Sequence, residues 1–244
     1  MTPTRWIIFA VVVVITLGGL VALSSKDKVD VSSVDTSAII KSGPNADRVF
    51  GNPDAKVILM EYSDFQCPAC LGAYPNVKSI TEAYKDQVAF VYRYFPLTTI
   101  HPNGLASAAV AEAAGIQGKF WQMHDLLFEG QKSWENLKAE QRGAAFEAYA
   151  SQLGLNVDQF KTDLASKKVA DRISYDRAIG GKLGVNSTPT FYLNGQKVSD
   201  TVVSNIVQKD GSELKASLDT AVKAAGGTIP TAATEVPAST TASD

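Results

Sequence analysis

Two cysteines and two histidines are all that this chain of 244 residues carries, and that scarcity removes several classes of protein at once. A small scaffold stapled by disulfides needs several bridges, whereas two sulfurs make one at most. A multi-ligand metal centre has little to draw on. Thirty residues separate Cys70 from His101 and 22 separate His101 from His124, which is not a zinc-finger spacing. Basic residues are not in excess either: 23 Lys and Arg stand against 25 Asp and Glu, so no cationic face invites nucleic acid. No internal repeat is visible. What remains is a chain with 45% hydrophobic residues, enough for one sizeable buried core.

The longest uncharged run is Trp6 to Leu23, 18 residues preceded by Arg5. As a helix at about 1.5 Å per residue it would measure roughly 27 Å, close to a hydrocarbon core of about 30 Å. It exceeds the roughly 7–15 apolar residues of a cleavable signal. Ala22-Leu23-Ser24 only imitates a cleavage site, and no Cys follows for lipid attachment. An N-terminal transmembrane signal-anchor at 6–23 is therefore expected, with residues 1–5 cytoplasmic and a polar Ser/Asp-rich tether at 24–46. Cleavage after the run stays open as the alternative. A short strand is expected at Ser37–Ile40. At the other end, residues 226–244 are rich in Thr, Ala, Ser and Pro and read as a disordered tail.

The folded part is expected at 47–225. Residues 55–62 form a nearly continuous apolar run, the mark of a strand buried on both faces. Residues 87–97 are β-branched and aromatic, a second strand. A helical block follows at about 102–183, punctuated by Gly, Asn and Ser. Residues 188–200 read as a hairpin turning at Asn194-Gly195, and 213–225 as a closing helix. The order implies an α/β fold with an inserted helical subdomain.

Both cysteines fall in one short stretch, Cys67-Pro68-Ala69-Cys70, which opens a region of helical spacing. At a helix start the first sulfur meets unpaired backbone amides and the positive end of the dipole. Both favour thiolate, lowering a thiol pKa from about 8.5 toward roughly 3.5–7.5. Pro68 suits the first turn, where its missing N–H costs nothing. Cys70, three residues on, can close a ring with Cys67 while facing the interior. Stabilising the Cys67 thiolate makes it a good leaving group and the disulfide form more oxidising. A structural disulfide closing so small a loop would stabilise little. A redox-active dithiol is the reading that remains.

Glu61 lies six residues before Cys67 and shares a strand face with Val57 and Leu59. Buried there, its pKa would rise and it would exchange protons near Cys70; a strand-end Glu reaching solvent is the other reading. His101, before Pro102, reads as a packing or capping residue beside Asn103. His124, among Phe120, Trp121, Leu127 and Phe128, reads as packed. Tyr62, Phe65 and Tyr74 flank the cysteines and are candidates for an apolar peptide groove.

Four stretches together resemble the thioredoxin-fold thiol oxidoreductases of the disulfide-bond oxidase A (DsbA) type, particularly membrane-tethered bacterial members. These are "GNPDAKVILMEYSDFQCPAC" (51–70), "RYFPLTTIHPNGLASAAVAEAA" (93–114), "QGKFWQMHDLLFE" (117–129) and "GVNSTPTFYLNG" (184–195). The resemblance implies a thioredoxin-like fold with Pro189 in cis and Thr188-Pro189 facing the cysteines, so that Thr188 backbone groups pair with an extended substrate. It implies a proton-exchanging role for Glu61. It also implies exported protein substrates with free thiols, no cofactor and no metal, and an enzyme on the extracytoplasmic side of a bacterial cell membrane. Reoxidation would come from a quinone-linked membrane partner of the DsbB or vitamin K epoxide reductase type. Two departures bear on direction. Ala69 stands where the strongest oxidants of the family carry His, and Thr188 also precedes the proline in reductase- and isomerase-like relatives. Envelope reduction or isomerisation, a non-enzymatic binding or chaperone module, and metal delivery are the competing functions.

Overall fold

The computed structural model describes residues 29–230. The apolar run expected to anchor the chain, and most of the expected tail, lie outside them. Among the described residues no helix is long and apolar enough to cross a membrane.

Five strands form one sheet: β1 (Arg48–Gly51), β2 (Val57–Ser63), β3 (Val88–Tyr94), β4 (Thr190–Leu193) and β5 (Gln196–Lys197). Their order is β1-β3-β2-β4-β5, with β2 and β3 parallel and the other pairs antiparallel. β2 and β3 are buried on both faces, as their unbroken apolar sequences require. Alternation then separates two cores. Val57, Leu59, Phe90 and Phe191 meet Ala73, Val77 and Ile80 of α1 (Pro68–Ala83). Ile206 of α8 (Asp200–Gln208) and Leu214 and Leu218 of α9 (Ser212–Ala224) complete that face. On the other face, Met60, Tyr62, Val91 and Tyr192 meet Val31, Ile179 and Val185.

Between β3 and β4 come six helices: α2 (Gly104–Ile116), α3 (Phe120–Glu129), α4 (Gln131–Trp134), α5 (Ala139–Gln152), α6 (Val157–Leu164) and α7 (Lys167–Lys182). They are the helical insertion expected at 102–183. Asn156 and Ser166 cap α6 and α7 by accepting from Gln159 N and Val169 N. The hairpin of β4 and β5 turns at Asn194 (φ 49°) and Gly195 (φ 79°), the left-handed pair a two-residue turn demands.

Several elements depart from expectation. The expected tether is packed from Val31 onward rather than free: Lys182 Nζ donates to the carbonyls of Val31, Ser32 and Val34 at 3.0, 2.9 and 3.1 Å. Ser37–Ile40 forms no strand. Instead β1 adds to the sheet edge, where Gly51 (φ 83°) is needed because a Cβ would sit 2.5 Å from Val88 O. α8 was not expected; Ser199 starts it by accepting from Val202 N.

Candidate active site

Cys67 is the N-cap of α1 and Pro68 its first residue, as the motif requires. The loop before it is held from several directions. Cys67 N donates to Asp64 O at 3.0 Å, and the buried Asp64 carboxylate accepts from Gln66 N (2.9 Å), Leu97 N (2.8 Å) and His101 Nδ1 (2.7 Å). Gly104 approaches so closely that a Cβ there would lie 2.8 Å from Asp64 Oδ1. From α4, the buried Gln131 Nε2 donates to Phe65 O (2.7 Å) and Cys67 O (3.1 Å). Gln66 bridges to the insertion as well, its Nε2 donating to Glu135 O at 2.7 Å and its Oε1 accepting from Asn103 N at 2.5 Å. Asn103 does not cap α2 with its side chain. It donates instead to the carbonyls of Trp134, Glu135 and Leu137.

Both cysteines stand free, Cys67 5% exposed and Cys70 fully buried. The Thr188-Pro189 bond is cis, and Thr188 O accepts from Cys67 Sγ at 3.3 Å. Cys67, Cys70, Thr188 and Pro189 are thus brought together, with Ala69 lining the same groove as the proline. That groove, about 260 Å³, runs toward α8 past Ser187, Lys197, Asp200 and Val203.

The two thiols are driven apart in acidity. A hydrogen bond from the Cys70 thiol, helped by the amides of Cys70 and Ala69 and by a nearby Thr188 hydroxyl that has no partner of ordinary geometry, brings Cys67 down to about 6 against the effect of burial. The helix amides therefore contribute as expected, but the neighbouring sulfur contributes more. Burial, that same hydrogen bond and the charges of Cys67 and Glu61 hold Cys70 well above an ordinary thiol. Glu61 is 4% exposed, not a solvent-reaching strand end. Burial pushes it up to about 7, and a charged Cys67 pushes the same way.

Ser63 escaped the sequence reading. Its buried hydroxyl has no hydrogen-bond partner of ordinary geometry, and its nearness favours the ionised form of both Glu61 and Cys70. The alternation that placed Glu61 inward also places Ser63 there, and was the available signal. Asp64 and Gln131 carried none, because their partners come from distant segments. His124 is packed as expected, amid the rings of Phe65, Tyr92, Trp121 and Phe128. Tyr62, Phe65 and Tyr74 are buried, and Tyr74 borders a cavity between α1, α3 and the sheet rather than the Thr188-Pro189 groove. The large apolar side chains left exposed near the site are Ile100 and Leu105, on the segment tied to Asp64. Among the described residues no cluster of side chains suits a metal ion.

A sheet with parallel central strands, a Cys-x-x-Cys at the head of a helix and a cis-proline against the first sulfur define a thioredoxin-fold protein. A thioredoxin family model matches residues 44–210, and the chain belongs to that family. Its fold is of the DsbA type. It is similar to a thioredoxin-like oxidoreductase from Silicibacter pomeroyi (27% identity, TM-score 0.59, 75% of this chain and 96% of that one). BdbD from Bacillus subtilis is another similar structure (22%, 0.60, covering 72% and 93%), as is α-DsbA1 from Wolbachia pipientis (22%, 0.60, 75% and 94%). Among curated relatives, the Na(+)/H(+) antiporter NhaA 3 of Salinispora tropica is 40% identical over 154 residues, 63% of this chain but only 22% of the antiporter. The chain thus spans well under half the length of the curated relatives it matches.

Proposed function

We propose that this thioredoxin-family oxidoreductase donates disulfides to exported proteins. The arrangement that carries the reading is Cys67 at the helix head against Thr188 O with Cys70 buried behind it, an arrangement that splits the two sulfurs in acidity. A substrate thiolate attacks Cys67 Sγ of the disulfide form, and the bond to Cys70 breaks. Cys70 leaves with the electron pair and takes a proton, for which neutral Glu61 is the source and Ser63 the adjoining hydroxyl. A second substrate thiolate attacks the substrate sulfur of the mixed disulfide and expels Cys67 as its stabilised thiolate. Two electrons pass from substrate to enzyme, and the substrate leaves as a disulfide.

The client lies extended along the Thr188-Pro189 groove, between Ala69 and Val203. The enzyme works outside the bacterial cytoplasm, held by the 6–23 run, and a quinone-linked membrane reoxidase of the DsbB or vitamin K epoxide reductase type restores its disulfide. Sharing one membrane would raise their encounter concentration. The test is the reduction potential of the Cys67–Cys70 pair in glutathione buffers. We expect a value between about −120 and −180 mV, among oxidants; a value near about −270 mV would make the protein an envelope reductant. Loss of disulfide donation in the Cys67→Ser, Cys70→Ser double variant separates the enzyme from a binding module or chaperone, which would keep its function.

A further inference from the structure

Glu61 also lines a second cavity, of about 170 Å³, bounded by α1, α3 and the sheet and without either cysteine in its walls. Its size is close to that of an apolar protein cavity of about 150 Å³ that binds benzene. Its walls are aromatic. Trp121 stands edge-on to Phe50 with centroids 5.5 Å apart and packs on Phe90 at 5.7 Å, while Tyr74 and Phe128 stack at 5.1 Å opposite. The indole is fixed, because Trp121 Nε1 donates to Val49 O at 3.1 Å.

The polar groups are sorted by depth. Lys78, Glu82 and Asp125 line the open end and are already engaged: Lys78 with Asp125 at 2.8 Å and Glu129 at 3.2 Å, Glu82 with Lys85 at 2.6 Å. The buried end holds His124, whose imidazole burial keeps neutral, and Glu61, which makes no ion pair among the described residues. Lys78 Nζ already lies over the Tyr74 ring, 5.3 Å from its centroid, so the walls accept a cation at the mouth, and an aromatic enclosure with a carboxyl free of ion pairs at its floor suits a second, organic one.

We propose that this cavity binds a small organic cation, an ammonium group on a body no larger than one aromatic ring, with the charge toward Glu61. Binding favours ionised Glu61, so affinity rises with pH. The groups facing Glu61 are Ser63 on its own strand, Cys67, Cys70, Lys78 and Glu82 from the start and length of α1, Tyr92 on β3, and His124 and Asp125 on α3. Of these, Glu61 at about 7 and Cys67 at about 6 change charge between pH 6 and 8. A group at about 7 goes from roughly one-tenth to nine-tenths ionised over that range, so affinity should rise about tenfold.

The probe is benzylammonium, followed by the Trp121 indole N–H resonance and by calorimetry on the reduced protein. Neither readout depends on disulfide exchange, so the proposal stands or falls apart from the redox function. We expect saturable binding, about tenfold tighter at pH 8 than at pH 6 and about tenfold tighter than neutral toluene at pH 8. Glu61→Gln should flatten the pH dependence and bring benzylammonium down to the level of toluene. Val77→Phe, which fills the space, should abolish both. Absence of saturation, equal binding of toluene and benzylammonium, or an unchanged pH profile in Glu61→Gln would each overturn the proposal, and the toluene comparison needs no variant.

Discussion

At the scale of the residue, the chemistry rests on groups held away from their ordinary acidity. In the reduced protein the Cys67 thiolate should appear in ultraviolet absorbance with a midpoint near 6. Thr188→Val, which removes a hydroxyl favouring the thiolate, should move that midpoint upward; an unchanged value would remove Thr188 from the explanation. Glu61 makes the opposite kind of prediction. Its folded pKa, about 7, lies above the ordinary carboxyl value of 4.5, so the folded state holds a proton that the unfolded chain has released. Stability should fall as pH rises from about 4.5 to 7 and then level off. A shift of this size is worth about 3–4 kcal/mol. Glu61→Gln should be free of that loss, and urea unfolding at pH 5 and pH 8 would show it. Equal pH slopes in the two proteins would mean that Glu61 is not a buried acid.

At the scale of the element, the active-site helix is positioned by parts remote in sequence. Gln131 in the four-residue helix α4 satisfies two loop carbonyls, those of Phe65 and Cys67. Gln131→Met keeps the bulk and removes the donor, so it should cost about 1–3 kcal/mol. Amide exchange of residues 65–67 should quicken with it; a stable variant with unchanged exchange would deny Gln131 this role. The same remoteness explains what the sequence could and could not disclose. β2, β3 and the hairpin were legible because burial on both faces and an Asn-Gly turn are local signals. So was the helix opening at Pro68. β1 was not, since four residues owe their strand to the edge of β3, and the N-terminal segment was not, since its polar composition conceals Val31, Ile39 and Ile40 packed on the sheet. α8 hid behind the hairpin although Ser199 announced a cap. In the site, Cys67, Cys70 and the inward face of Glu61 could be read from spacing. The cis state of Pro189 came only from resemblance. Asp64, Asn103 and Gln131 act on backbone groups brought near by folding, and no local pattern reports that.

At the scale of the whole molecule, one buried cluster joins three parts of the chain. Arg93 of β3 and Arg172 of α7 lie fully buried between Asp47 and Asp176, with Arg93 Nη2 2.8 Å from Asp47 Oδ2 and Arg172 Nη1 2.5 Å from Asp176 Oδ1. Asp176 also accepts from Tyr94 N at 3.0 Å. Removing one member strands buried charge, so Asp176→Ala should cost about 3–5 kcal/mol in urea unfolding; a loss below about 1 kcal/mol would show the cluster to be dispensable. Farther out, Lys182 fastens the carbonyls of Val31, Ser32 and Val34. Lys182 is thus a clasp: one ammonium closes the N-terminal stretch of the described chain onto the last turn of α7, two segments about 150 residues apart in sequence.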